Sequence, residues 1–227
     1  MEFVLKLIIF LPLISGVING IFCQKITNCM ASVISSVAIV ISAICAVLIF
    51  VKAGINKEIM HIVIANWIDT REVYVNWSLY VDQLTAIMFL LVTAVSAVVH
   101  IYSLGYMKDD KNLPKFLSYL SLFTFFMIAL VSADNFVQLF FGWEGVGLCS
   151  YLLIGYYYHK DSANSAAVKA FVVNRVGDFA FIIGLVMIII YTESVDFAHV
   201  FAMSEDLSKI SIESFGMKFA VLDVICL

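Results

Sequence analysis

Charge is scarce in this chain. Only 13% of its 227 residues are charged, 63% are hydrophobic, and the mean hydropathy is +1.03. A soluble domain is about half apolar and about a quarter charged. A core of this size cannot hide the excess, so lipid must solvate much of it. Basic residues are also few. The net charge of −4 and pI near 5.5 leave no basic footprint, and no nucleic-acid partner is expected. The five cysteines form no CxxC and have no clustered histidines beside them. Cys45, Cys149 and Cys226 lie inside apolar runs, and Cys23 and Cys29 flank a short polar loop. Neither a metal nor a disulfide role is expected of them. A cleavable leader is not expected either. Glu2 accompanies Lys6, and the first apolar run continues to Phe22 without an A-x-A-like site. There is no internal repeat and no Pro- or Ser-rich linker.

Long apolar runs dominate what is present. Spans are predicted at about Phe3–Phe22, Met30–Val51, Val81–Leu104, Leu113–Ala133, Asn135–Tyr158 and Ser165–Tyr191. A seventh run starts near Phe215 and stops at Leu227. As a helix it would reach only ~20 Å against a hydrocarbon core of ~30 Å, so the chain is expected to end inside a span. The fold class is therefore an all-α membrane protein with six complete helices and the start of a seventh. Two regions are expected: an N-terminal membrane region at 1–112, and a helical bundle that begins at 113 and runs to 227.

One segment breaks the helical pattern. Val73, Val75, Trp77, Leu79 and Val81 alternate with Tyr74, Asn76, Ser78 and Tyr80, the period-two signature of a strand. His61–Trp67 reads as its partner and Ile68–Glu72 as the turn. The result is a β-hairpin on the membrane surface between helices two and three, covering helix ends. Asp196–Ser214 mixes acids with Phe197, Val200, Phe201, Leu207 and Ile210 at helical spacing, which predicts an amphipathic connection. Lys25, Lys108, Lys111, Lys115 and Lys160 fall in loops on one side. Lys52, Lys57, Arg71 and Lys209, with most loop acids, fall on the other. The positive-inside rule makes the first set cytoplasmic and the N-terminus external.

Against this apolar background, Glu144 stands near the middle of the fifth span. An unpaired charge there costs about 2.5–3.5 kcal/mol on translocon scales. Such a carboxyl must be neutral or face a cation, and either suits a group that takes up and releases protons. A structural salt bridge or a water pocket would also explain it. Gly142, Gly145 and Gly147 surround it. They precede no Lys-Ser/Thr and follow no strand, so they make no phosphate loop. Small residues in a membrane helix instead permit close helix contact. In the sixth span Arg175 and Asp178 are three apart and share a helix face. They form either a self-compensating pair or a relay whose opening frees one member to act on Glu144. Lys169 lies nearer the helix end, where it can snorkel. His100, close to the end of the third span, reads as structural, and His159 and His199 fall in loops.

The stretch Gly142-Trp-Glu-Gly-Val-Gly-Leu-Cys-Ser-Tyr-Leu-Leu-Ile-Gly155 is specific. It resembles the N-terminal portion of the largest antiporter-like, proton-translocating subunit of respiratory NADH-quinone oxidoreductase (complex I). Asp82-Gln-Leu-Thr, His100-Ile-Tyr-Ser-Leu-Gly-Tyr-Met, Ala133-Asp-Asn and Lys169-Ala-Phe-Val-Val-Asn-Arg-Val-Gly-Asp178 agree in order and spacing. The resemblance covers essentially the whole chain. It implies a multi-pass subunit of a bacterial or mitochondrial inner membrane. The subunit would translocate protons, driven by NADH oxidation and quinone reduction on other subunits. It implies other membrane-arm subunits as partners and no cofactor on this chain; NADH and quinone would be used by the complex. It implies that Glu144 is the proton-site carboxylate and that Arg175 and Asp178 serve coupling.

In the family Glu144 pairs with a lysine on the next-but-one helix. That lysine, a second inverted repeat and a lateral helix lie beyond what this chain carries. Arg175, Asp178 or a bare water pocket must therefore compensate here, and a Glu144 buried without lysine is expected to be mostly neutral. Two other readings share these features. One is a subunit of a multisubunit Na+/H+ antiporter or membrane hydrogenase. The other is a non-functional fragment of the longer subunit.

Overall fold

The computed structural model describes residues 1–70, 74–214 and 217–226. Its chain order is α1 (Glu2–Ile21), α2 (Asn28–Ile49), β1 (Met60–Asp69), β2 (Tyr74–Val81), α3 (Gln83–Tyr106), α4 (Leu113–Val131), α5 (Phe136–Ile154) and α6 (Asp161–Thr192). The C-terminal elements are α7 (Phe197–Ala202), α8 (Ser204–Lys209), β3 (Ser211–Ser214), β4 (Met217–Ala220) and α9 (Val221–Cys226). Among the described residues six helices are long and apolar enough to cross a membrane, as the hydropathy predicts. Two run further than their α-helical bounds. α2 continues in a π-helical turn, Phe50–Ile55, and α5 in a 3-10 turn, Gly155–Tyr157.

Local chemistry sets the helix starts. Thr27, Asp82 and Asn135 each accept a bond from the backbone N–H three residues on, at 3.3, 2.8 and 2.8 Å. These N-caps satisfy donors that have no partner inside the helix. Pro114 enters α4 in its first turn, where a missing N–H does no harm. α6 ends at Glu193 in the left-handed conformation, φ 53°.

The helices assemble around α4, which packs against α1, α2, α3 and α5, while α6 packs mainly against α5 among the spans. The apolar centre joins Leu5, Ile8 and Ile9 of α1 to Ile49, Phe89, Phe125 and Ile128. Outside it, whole helix faces carry exposed apolar side chains, such as Val33, Val37, Ile41 and Ile44 on α2. In water these faces would be a liability; in a bilayer they are the lipid contact.

Hydroxyls and one histidine bond between spans. His100 is fully buried. Its Nδ1–H donates to the Ser96 carbonyl at 2.8 Å, leaving Nε2 to accept from the Ser121 hydroxyl at 3.2 Å. Ser96 and Thr124 hydroxyls lie 2.6 Å apart. This cluster pins α3 to α4, as a structural histidine should.

The hairpin of β1 and β2 is antiparallel, with register shifts between Val63 and Ala65 and between Asn66 and Ile68. Val75, Leu79 and Val81 point inward as the alternation predicts. Val73 and the last two residues of the predicted turn, Arg71 and Glu72, lie outside the described residues, and Ile68 and Asp69 belong to β1. Ser78 departs from the pattern and is also buried, because Gln138 holds it from both sides. The Ser78 N–H donates to Gln138 Oε1 at 3.0 Å, and Gln138 Nε2 donates back to the Ser78 carbonyl at 2.8 Å. Trp67, Trp77 and Phe141 pack with ring centroids 5.1–5.6 Å apart. The hairpin therefore sits on the start of α5.

The C-terminal reading needs correction. The seventh run was expected to start a helix near Phe215. Phe215 and Leu227 lie outside the described residues, but Ser211–Ser214 and Met217–Ala220 pair as a small hairpin. Helix begins only at Val221. A short apolar run does not distinguish strand from helix by periodicity. Upstream, α7 and α8 supply the expected amphipathic connection, burying Val200 and Leu207.

Candidate functional site

The two faces of α5 have separate tasks. Gln138, Gly142, Gly145 and Cys149 form its buried stripe. Gly142 and Gly145 lie against α4. A Cβ on Gly142 would stand 2.7 Å from the backbone of Leu130, and one on Gly145 would stand 2.0 Å from the ring of Phe126. Glycine lets the two helices touch there. Gly147 is different: a Cβ there would meet only Asn174 Nδ2, at 3.7 Å, an ordinary contact.

The next face of α5 meets α6. Phe140 stacks on Phe181, and Tyr151 packs on Phe171, with centroids 5.3 Å apart in both pairs. Between these aromatic contacts lie the charged groups. Glu144 is at the middle of α5 and Asp178 at the middle of α6. Arg175 Nη1 donates to both Glu144 oxygens, at 2.5 and 2.6 Å. The same nitrogen lies 3.4 Å from Asp178 Oδ2. The guanidinium also sits 4.7 Å from the Phe171 ring centroid. Trp143 Nε1–H donates to Asp178 Oδ1 at 2.8 Å.

One guanidinium thus stands between two carboxylates. Asp178 is the most enclosed of the three, its side chain 7% exposed, against 25% for Glu144 and 45% for Arg175. The three residues singled out in the sequence come together. Of the groups expected to compensate for a missing lysine, Arg175 is the one that contacts Glu144. The sequence reasoning missed Trp143. Its signal was available, since an indole N–H in a membrane span needs an acceptor. Lys169 is exposed near the start of α6, as its place in the span suggests. Among the described residues no group of three or more His, Cys, Asp or Glu is placed to hold a metal ion. Two cavities, of about 190 and 560 Å³, are not lined by Glu144, Arg175 or Asp178.

Six apolar helices, two of them joined at mid-span by a carboxylate–guanidinium–carboxylate contact, define a multi-pass membrane protein. Comparison with known proteins makes this specific. Residues 67–117 match the family model described as NADH-ubiquinone oxidoreductase (complex I), chain 5 N-terminus. Residues 133–225 match NADH:quinone oxidoreductase/Mrp antiporter, TM. NADH-quinone oxidoreductase subunit L of Rickettsia bellii is 54% identical over 97% of this chain and 34% of its own length. The Rickettsia felis protein of the same name is 56% identical over the same shares. NADH-ubiquinone oxidoreductase chain 5 of Chondrus crispus is 41% identical over 97% of this chain and 33% of its own length.

The chain belongs to this antiporter-like subunit family of complex I and is a multi-pass inner-membrane protein. It spans about a third of the length of these relatives. Two solved structures share the fold at 20% identity. An archaeal membrane-bound sulfane sulfur reductase has a TM-score of 0.78, with 89% of this chain and 40% of that chain covered. The Mrp complex from Dietzia has a TM-score of 0.72, with 86% and 20% covered.

Proposed function

We propose that this chain is the proton-handling part of a membrane-arm subunit of NADH-quinone oxidoreductase. The observation that carries the reading is Arg175 held between Glu144 and Asp178 at mid-span. When both acids are ionised, the triad has two negative charges and one positive. In a membrane the remaining charge is unfavourable, and binding one proton removes it. Arg175 need shift only slightly to exchange its closest contact from Glu144 to Asp178. That exchange would alternately expose and neutralise Glu144, the step a translocated proton requires. The redox chemistry is assigned to other subunits, and no cofactor is assigned to this chain.

A Na+/H+ antiporter subunit would have the same fold and could use the same triad. The identity of 54–56% to subunits named NADH-quinone oxidoreductase favours complex I. Partners decide between the two. Purified gently from its own membrane, the protein carrying this chain is expected to bring soluble subunits that oxidise NADH. Recovery of a stable membrane complex with no NADH-oxidising subunit would overturn the complex I assignment.

A further inference from the structure

A second titratable cluster lies where three segments meet, at the hairpin end of α5. Asp134 immediately precedes Asn135, the N-cap of α5. His61 Nε2 of β1 lies 2.9 Å from Asp134 Oδ2, and the Ser78 hydroxyl donates to the same oxygen. Asn135 Nδ2 donates to Asp134 Oδ1 at 2.7 Å. From the other side, the segment after α6 is bonded in: Phe197 N–H donates to the Asp134 carbonyl at 3.1 Å, and Phe136 N–H to the Val195 carbonyl at 3.0 Å. This brings Asp196 alongside Asn135. Partial shielding by these segments, and then the charge of Asp134, push the Asp196 carboxyl above its ordinary range; His199 and His61 pull it back. The Tyr80 ring flanks His61 with centroids 6.2 Å apart. Two carboxylates and two imidazoles thus interact at one surface point.

We propose that His61, Asp134, Asp196 and His199 form a proton-exchange station between bulk water and the path served by Glu144. The proposal rests on the reading of Glu144 as a proton site. Three observations carry it. Asp134 stands just before the N-cap of α5, the same helix that carries Glu144. The cluster grades from water inward: the His61 side chain is 49% exposed and that of Asp134 is 18% exposed. Two imidazoles and two carboxylates, side chains able to pass protons to and from water, meet at one point where β1, the start of α5 and the segment after α6 converge. A purely structural clamp at this place needs the hydrogen bonds but not the titration.

That difference sets the test. In the intact complex, reconstituted in vesicles, the variant His61→Gln/Asp196→Asn/His199→Gln keeps a donor toward Asp134 and removes three titrating groups. NADH-driven proton pumping is measured in weak buffer, with and without added imidazole as a mobile buffer. The variant is expected to pump several-fold more slowly than wild type in weak buffer and to recover with imidazole. Unimpaired pumping in weak buffer, or a deficit that imidazole does not restore, would overturn the proposal. If the triple variant fails to assemble, His61→Gln alone gives the same comparison with the same two outcomes. Glu144→Gln, run in parallel, is expected to keep its pumping deficit with or without imidazole. Normal pumping by that variant would count against the Glu144 reading itself.

Discussion

Arg175→Gln is expected to lose at least nine-tenths of proton pumping and to destabilise the α5–α6 contact. The substitution leaves Glu144 and Asp178 facing each other across one helix interface without their shared cation. Breaking a buried ion pair by removing one partner costs about 3–5 kcal/mol. Arg175 is nearly half exposed, so a loss of roughly 1–3 kcal/mol is expected here after discounting for that exposure. The second substitution is the informative one. Arg175→Gln/Glu144→Gln removes the stranded charge and should recover more than half of the lost stability, while pumping stays lost. Thermal denaturation of the complex in detergent gives the coupling between the two positions. Additive losses would mean that the two side chains do not interact. Arg175→Lys keeps the charge but lacks a planar fork for several acceptors, so intermediate pumping is expected.

The second large effect is steric. Gly142→Leu should separate α4 from α5 and prevent stable assembly, because its Cβ would enter the backbone of Leu130 and not the tip of a mobile side chain. Overpacking a close contact costs about 1–3 kcal/mol and more when backbone must move. Gly147→Ala is the control, since its Cβ has ordinary room beside Asn174. It should melt within about 1 °C of wild type, because a surface-like change contributes less than roughly 0.5 kcal/mol. A Gly142→Leu complex as stable as the Gly147→Ala complex would refute the tight crossing.

Much of this architecture is legible from residue order. The six spans are legible because a bilayer demands about 20 apolar residues per crossing, whatever the partner helices are. The hairpin is legible because Val75, Leu79 and Val81 must share one face of a strand. Arg175 and Asp178 share a helix face by spacing alone. What the order of residues does not contain is which helix faces which. The link from Arg175 to Glu144 depends on α6 docking on the Trp143–Glu144 face of α5, through Phe140 on Phe181 and Tyr151 on Phe171. Hence residue order leaves Arg175, Asp178 and water as alternatives beside Glu144, and only the helix docking selects Arg175. Ser78 was assigned to the outward face for the same reason: its burial comes from Gln138, 60 residues away. The C-terminal hairpin was missed because its apolar run is too short to show a period.

The central claim is that Glu144 carries protons and does not merely pair with Arg175. Its most direct test is the number of protons pumped per NADH oxidised by the intact complex carrying Glu144→Gln, which keeps the size and removes the titrating group. The account predicts that the complex assembles, still oxidises NADH, and loses at least most of the protons translocated through this subunit. An unchanged proton-to-electron ratio would contradict it.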